Sequence, residues 1–262
     1  MRKYGFKLFS TVLHTAPAML KECVDFAIKQ NDIFFELMVV PETCESDLLE
    51  IKKHIDNLEV RIHAPHNIMG FDAANSFLEK QNLGIFAVSQ KAADILNSKT
   101  IVVHAGCGRG ENYIQETIRQ FKLFNDKRIV VENLPLSASN NQPLHGNTAS
   151  EIKSIMDSTG CGFCFDFSHA ICAAIELNLN IEEHLKSFFN LRPNVYHLCD
   201  GDINTSNDSH LHFGYGNYPL KHFLKDLTTD DAVITMETGH GPTLHGDKWF
   251  KDYEYIKSLC KK

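Results

Sequence analysis

The chain has 262 residues, of which 43% are hydrophobic and 23% are charged, and its formal net charge is -7. This composition supports a full hydrophobic core and excludes an extended disordered protein. No basic run offers a surface for a nucleic-acid backbone, and no apolar run reaches the length of a membrane span. Eight scattered cysteines, and an N-terminal segment without the apolar centre of a signal peptide, predict a reduced, cytoplasmic protein.

Strand-like and helix-like segments alternate along the whole sequence. In chain order, the predicted strands cover residues 4–9, 33–39, 60–63, 100–104, 128–132, 162–166, 195–198 and 232–237. The predicted helices that follow them cover residues 16–30, 46–55, 75–96, 112–124, 149–158, 181–189, 220–227 and 248–260. Segments such as TIVVH and RIVVE are continuous β-branched runs, which are typical of parallel strands covered on both faces.

Eight strand–helix units in a chain of this length predict an α/β protein, a closed (β/α)₈ TIM barrel formed by a single domain over residues 1–262. An open, doubly wound sheet is the alternative. Two long connections, residues 134–148 and 199–219, follow the C-terminal ends of the fifth and seventh strands. Barrel enzymes place their chemistry at this end of the strands, so both connections are candidate site loops.

Six predicted strands end in an imidazole or a carboxylate, and three more such groups follow the sixth and seventh strands. The nine side chains are His63, His104, Glu132, Asp166, His169, His197, Asp208, His210 and Glu237. In a closed barrel the strand ends meet at one mouth, where so many polar groups are costly to bury without a cation. Histidine and carboxylate groups are the ligands that zinc and manganese take from proteins. The sequence therefore predicts a divalent-metal site.

This combination resembles the endonuclease IV branch (AP endonuclease family 2) of the xylose-isomerase-like TIM barrel superfamily. The matching motifs, in chain order, are VRIHAP with His63, VVHAG with His104, Glu132-Asn133, D-x-x-H from Asp166 to His169, H-L-x-D from His197, D-x-H from Asp208 before G-x-G, and Glu237-Thr238. The resemblance implies an enzyme with zinc as the expected cofactor, up to three ions, and manganese as the alternative. It makes Glu132, which is expected to bridge two ions, and Glu237 candidate catalytic residues.

Two segments depart from the DNA-repair members of that branch. Those enzymes place large side chains, which wedge into the duplex, just after the strand-three histidine, whereas this chain has His66 and Asn67 there. The loop after their second strand carries an arginine, whereas here it reads VVPETCESD and is acidic. Two substrate classes therefore stay open, damaged DNA and a small phosphorylated sugar.

Formal charge favours a phosphoester hydrolase over a sugar enzyme. The four carboxylates among the nine residues, combined with three divalent ions, give a positive site that attracts a phosphate. One ion held by Glu132, Asp166, His197 and Glu237 leaves a negative site, which suits a neutral sugar whose protons the two glutamates move. That arrangement gives the other five residues no role. A metal-dependent sugar or sugar phosphate isomerase or epimerase is the alternative, and a catalytically idle metal-binding barrel is the third hypothesis.

Three further residues near the predicted mouth are candidates for substrate contact: Arg109, His66 and His240. The guanidinium of Arg109 can hold a phosphate through two parallel hydrogen bonds. The sequence indicates no membrane association and no protein partner.

Overall fold

The computed structural model describes residues 1–55, 57–138, 140–239 and 245–260. The strands are β1 Lys3–Phe9, β2 Ile33–Met38, β3 Val60–His63, β4 Ile101–His104, β5 Ile129–Glu132, β6 Gly162–Asp166, β7 Val195–Leu198 and β8 Val233–Met236. The helices are α1 Val12–Thr15, α2 Pro17–Gln30, α3 Glu45–Ile55, α4 Glu79–Ile95, α5 Glu111–Phe124, α6 Ala149–Thr159, α7 Phe167–Glu176, α8 Ile181–Phe189, α9 Leu220–Asp226 and α10 Asp247–Cys260. No helix in these four ranges is long and apolar enough to cross a membrane.

The eight strands form a closed barrel in which each strand pairs in parallel with its neighbours in the sequence. Tyr4 of β1 pairs with Ile33 of β2 on one side and with Ile234 of β8 on the other, so the first and last strands meet. This closure confirms the predicted (β/α)₈ barrel. It excludes the open doubly wound sheet, in which the edge strands have no second partner.

Successive side chains along each strand point to opposite faces of the sheet, so the side chains of the barrel form two layers. One set, which includes Phe6, Ile62 and Phe165, packs in the main hydrophobic core together with the helices. The other set faces the barrel interior, where its apolar members form a separate cluster: Val102, Val130, Cys164 and Val195. Each of these four residues precedes a predicted metal ligand by two positions on the same strand, so the ligands face the same way. The apolar cluster therefore lies beneath the polar mouth.

Helix α7 is absent from the predicted elements, in which the next helix after the sixth strand begins at residue 181. Asp166 caps this helix, because its Oδ1 accepts a hydrogen bond from the backbone N–H of His169 at 2.7 Å. All residues from 167 to 174 are buried. A helix that is buried all round lacks the amphipathic period by which a surface helix is detected in a sequence. His169 consequently lies in the first turn of a helix.

Candidate metal centre

A cavity of about 920 Å³ opens at the C-terminal ends of the strands. Six of the predicted metal ligands line it: His104, Glu132, His169, Asp208, His210 and Glu237. The other three, His63, Asp166 and His197, lie against them with 0%, 2% and 0% of their surface exposed. The structure thus brings all nine residues to one mouth, although they are spread over more than half of the sequence.

Glu132, at the end of β5, lies at the centre of this group. Its Oε2 is 3.1 Å from Nε2 of His63 and 3.3 Å from Nε2 of His104. Its Oε1 is 3.0 Å from Nδ1 of His197 and 3.5 Å from Nδ1 of His169. Burial raises the pKa of Glu132, but His197 and His104 outweigh burial and hold the pKa well below its ordinary value. One ionised carboxylate thus reaches both sides of the centre.

The donor atoms form overlapping groups in which every atom lies within 4.8 Å of the others. Those that contain only predicted ligands are His63–His104–Glu132, Glu132–Asp166–His169 and His169–Asp208–His210. Around His197, Nδ1 is 2.8 Å from Oε1 of Glu237 and 4.0 Å from Oδ2 of Asp166. Glu132 therefore links the first group to the second, and His169 links the second to the third.

Carboxylates crowd the centre closely enough to perturb one another. Burial raises the pKa of Asp166 to about 6, and the neighbouring Glu237 and Glu132 act in the same direction, against the effect of His169. Burial also raises the pKa of Glu237, but His197 and Lys7 lower it well below its ordinary value. Buried carboxylates at this density need positive charge nearby. Imidazole nitrogens and carboxylate oxygens are suitable ligands for a divalent ion, so the residues fit such an ion.

Backbone carbonyls orient three of the five histidines. Nδ1 of His63, His169 and His210 donates to the carbonyl oxygens of Ala64, Asn133 and Glu237 at 2.8, 2.9 and 2.8 Å, respectively. A carbonyl oxygen only accepts hydrogen bonds, so the proton is on Nδ1 and Nε2 is the nitrogen left free to bind a metal. The carbonyls belong to residues at or directly after strand ends, which makes this orientation a property of the barrel rim.

The group formed by His169, Asp208 and His210 is centred on the Asp208 carboxylate. Oδ2 of Asp208 is 2.8 Å from Nε2 of His210 and 3.3 Å from Nε2 of His169. Oδ1 of Asp208 accepts a hydrogen bond from Oγ of Ser168 at 2.6 Å. Burial lowers the pKa of His210, but Asp208 outweighs burial and raises the pKa to about 9. Burial raises the pKa of Asp208, but His210 and His169 outweigh burial and hold this pKa well below its ordinary value.

The connection between β7 and α9 folds around Asp200, and this folding places Asp208 and His210. Oδ2 of Asp200 accepts hydrogen bonds from the backbone N–H of Gly214 at 2.8 Å and of Gly216 at 3.1 Å. A Cβ atom on Gly216 would lie 2.3 Å from the carbonyl oxygen of Gly201, so only glycine fits there. His210 has a φ of 44°, in the left-handed region, so the backbone at this ligand is not extended.

Two charged residues of the centre, Lys7 of β1 and Glu36 of β2, are not among the site residues predicted from the sequence. They pair with each other in the strand register. Lys7 forms an ion pair with Glu237, and its Nζ lies 3.8 Å from Oε1 of Glu36. Glu36 is fully buried, and its Oε2 lies 3.0 Å from Nε2 of His197. The signal that could have found both is a charge inside a strand at an inward-facing position.

The three candidates for substrate contact have different positions. His66 lines the cavity and stacks on His104 with ring centroids 5.0 Å apart, and burial lowers its pKa to about 3. The guanidinium of Arg109 donates to the carbonyl oxygen of Leu136 and to Oγ of Ser137. Arg109 is not among the described residues that line the cavity, so its position gives no support to a substrate contact. His240 lies outside the described residues.

Comparison of the sequence with known proteins gives a family match and a sequence relative. Residues 22–259 match the protein family described as the xylose isomerase-like TIM barrel. Endonuclease 4 of Thermus thermophilus is 27% identical over 199 residues, which cover 72% of this chain and 71% of the relative.

Solved structures with the same fold include sugar-enzyme relatives and a zinc-binding protein. A D-tagatose 3-epimerase-like protein superimposes with a TM-score of 0.72 at 20% identity, over 97% of this chain and 96% of its own. The IolI protein, solved with a bound zinc atom, gives a TM-score of 0.61 at 14% identity, over 97% and 95% of the two chains. At these identities the likeness to the solved structures establishes a shared fold.

Proposed function

The chain belongs to the xylose isomerase-like TIM barrel family, and we propose that it is a divalent-metal hydrolase that cleaves a phosphoester. Its relatives are enzymes and include an endonuclease and an epimerase-like protein, so membership alone does not select the reaction. We propose zinc as the metal, at up to three ions per chain. A solved structure of this fold binds a zinc atom, which supports zinc.

The observation that carries the proposal is the donor group formed by His169, Asp208 and His210. A sugar enzyme with one ion needs only the donors around Nδ1 of His197. The third group has its own carboxylate, and the Nε2 atoms of both histidines lie within 3.3 Å of it. Three polar groups that converge at this distance beside the main centre support a multinuclear site.

Charge supports the same choice. The candidate donor groups contain five carboxylates, from Glu36, Glu132, Asp166, Asp208 and Glu237, and Glu176 also lines the cavity, whereas Lys7 is the one lysine or arginine among the described lining residues. Three divalent ions turn this negative site into a positive one, which attracts a phosphate group. When bound, such ions act as Lewis acids and activate water near neutral pH.

The residues of the cavity wall suit a substrate with several oxygens. Asn67, Ser137 and Asn141 line the cavity and supply amide and hydroxyl groups, which both donate and accept hydrogen bonds. Lys7 is the single lysine or arginine among the described lining residues. A duplex requires several cationic side chains against its phosphates, so a small phosphorylated sugar fits this wall better than a long stretch of DNA.

A metal-dependent sugar isomerase or epimerase is the second candidate. Oε1 of Glu132 and Oε1 of Glu237 both lie within 3.0 Å of Nδ1 of His197, so two carboxylates flank one cation position. Such a pair can remove a proton from one carbon of a sugar and return it to another. The likeness to a D-tagatose 3-epimerase-like protein supports this alternative.

Metal content and a substrate screen together test the proposal. The protein is purified without chelator, its zinc and manganese are counted, and turnover is measured on duplex DNA with an abasic site, on phosphorylated sugars and on ketoses. About three zinc ions per chain and cleavage of a phosphoester are expected. About one manganese ion with conversion of a ketose would replace the proposal by the isomerase. A loaded protein without any turnover would indicate a metal-binding barrel.

A further inference from the structure

His197 is held differently from the other oriented histidines of the centre. His63, His169 and His210 each donate from Nδ1 to a backbone carbonyl, which no side-chain substitution removes. His197 instead directs Nδ1 toward Glu132 and Glu237, and its Nε2 lies 3.0 Å from Oε2 of Glu36. Its orientation therefore depends on another side chain.

Glu36 lies in the barrel interior, where it contacts His197. It is fully buried, and its Oε2 also accepts a hydrogen bond from Oγ1 of Thr235 at 2.7 Å. Thr235 is the residue of β8 that pairs with His197 of β7. A buried carboxylate costs several kcal/mol unless it is compensated, and here His197, Thr235 and Lys7 compensate it. Glu36 is not among the described residues that line the cavity, so it does not reach a substrate from this position.

Direct metal ligation by Glu36 is the competing interpretation. Donor atoms of Glu36, His63, His197 and Glu237 also lie within 4.8 Å of one another. However, the ammonium group of Lys7 pairs with Glu237 and lies 3.8 Å from Glu36, so the protein already supplies a cation between these carboxylates. The other ring nitrogen of His197, Nδ1, faces Glu132, Asp166 and Glu237.

We propose that Glu36 is a positioning residue that holds Nε2–H of His197 toward the barrel interior and thereby presents Nδ1 to a metal ion between Glu132, Asp166 and Glu237. A carboxylate behind a ligating histidine fixes the ring and strengthens the metal bond, and its loss typically weakens metal binding 10- to 100-fold. The inference rests on the metal site of the proposed function and is independent of the reaction that the site catalyses.

Zinc titration of the full chain tests this role. Zinc affinity is measured by competition with a chromophoric chelator for the wild type, Glu36→Gln and Thr235→Val. Glu36→Gln is expected to weaken one zinc position about 10- to 100-fold. Thr235→Val removes the other hydrogen bond to the same oxygen but leaves the contact between Glu36 and His197, so a change below about threefold is expected. The melting temperature of the metal-free protein, measured in parallel, reports a purely structural effect.

A double-mutant cycle separates positioning from general disturbance of the interior. In a His197→Asn background, Glu36→Gln is expected to have no further effect on zinc affinity. If Glu36→Gln does not fold, Glu36→Asp keeps the charge beside Lys7 but withdraws it from Nε2, and the same loss of zinc affinity is expected. Unchanged zinc affinity in the folded variant, or an equal loss in the His197→Asn background, overturns the inference. A wild type that binds no zinc overturns both proposals, whereas a zinc-loaded chain without phosphoesterase activity overturns only the proposed reaction.

Discussion

At the scale of single residues, Glu132 is central to the proposed chemistry of the mouth. Its two oxygens face different histidines, so it is the residue through which the donor groups are joined. Its pKa is raised by burial but held well below the ordinary value by His197 and His104, which favours the ionised form. These two properties suit a carboxylate that bridges two ions.

Glu132→Gln is expected to reduce turnover by at least about 10²-fold, because the amide is neutral and binds metal poorly. Far-UV circular dichroism should remain that of the wild type. Glu116→Gln is the matched control, since Glu116 pairs with Arg119 on the outer helix α5, and its activity should equal that of the wild type. Full activity of Glu132→Gln would contradict the assigned role.

Zinc binding is expected to release protons at neutral pH. In the metal-free protein Asp208 raises the pKa of His210 to about 9 against the effect of burial, and the pKa values of His169 and His197 are raised as well. The His210 ring is therefore protonated at pH 7.5 and must lose a proton before its nitrogen binds zinc, and the raised pKa values of His169 and His197 act in the same direction. The apparent affinity should rise with pH and level off above about 9. Calorimetry in buffers of different ionisation enthalpy measures the release, and identical enthalpies in all buffers would contradict it.

The residues that could be predicted from the sequence are those that end a strand. His63, His104 and Glu132 were found because each closes a short β-branched run, and a barrel brings such ends together. Lys7 and Glu36 lie inside strands, where a charged residue has no local signal of its partner. Their partners, Glu237 and His197, are distant in the sequence and are brought near only by closure of the barrel.

At the scale of elements, one helix and one long connection carry the third donor group, formed by His169, Asp208 and His210. Helix α7 brings His169 and Ser168 to the mouth, and the connection from β7 to α9 brings Asp208 and His210. The strands could be predicted to within about one residue from their β-branched runs. Helix α7 could not, because its residues 167–174 are all buried and present no solvent-exposed polar face. Asp208 and His210 lie in a connection that Asp200 holds through hydrogen bonds to the backbone N–H groups of Gly214 and Gly216.

Gly216→Ala is expected to destabilise the protein by about 1–3 kcal/mol and to weaken zinc binding at the third group. The added Cβ would lie 2.3 Å from the carbonyl oxygen of Gly201 and 2.5 Å from Oδ1 of Asp200, so the connection must shift. Urea denaturation and zinc titration measure the two effects.

Gly84→Ala on helix α4 is the matched control for that substitution. No atom lies within 4 Å of the Cβ that it adds, and alanine is favoured over glycine inside a helix by about 0.5–1 kcal/mol. Stability should therefore rise and zinc binding should stay unchanged. If Gly216→Ala and Gly84→Ala had the same stability and the same zinc affinity, the close approach at Gly216 would not contribute to either property.

At the scale of the whole molecule, the candidate ligands tie together strands from opposite sides of the barrel. They come from β3, β4, β5, β6 and β7, from the residue after β8, and from α7 and the connection before α9. Barrel closure could be predicted from the count of strand–helix units and is confirmed by the pairing of β1 with β8. An ion bound at the mouth therefore stabilises the folded barrel as a whole rather than one loop.

Zinc is expected to raise the melting temperature by about 5–10 °C. A ligand at 100 times its dissociation constant stabilises the folded state by about 2.7 kcal/mol, and each kcal/mol shifts the melting temperature of a domain of this size by about 2–4 °C. Thermal denaturation with zinc and with EDTA measures the shift. Glu132→Gln should respond less than the wild type, and a shift of equal size in both proteins would place the bound zinc elsewhere.

Anomalous diffraction at the zinc absorption edge, on crystals grown with zinc, tests whether the nine side chains bind divalent metal together. Strong peaks are expected inside the cavity, beside the Glu132 carboxylate, beside Nδ1 of His197 and between His169, Asp208 and His210. A map without peaks in the cavity, or with peaks only at histidines on the outer surface, would contradict this expectation.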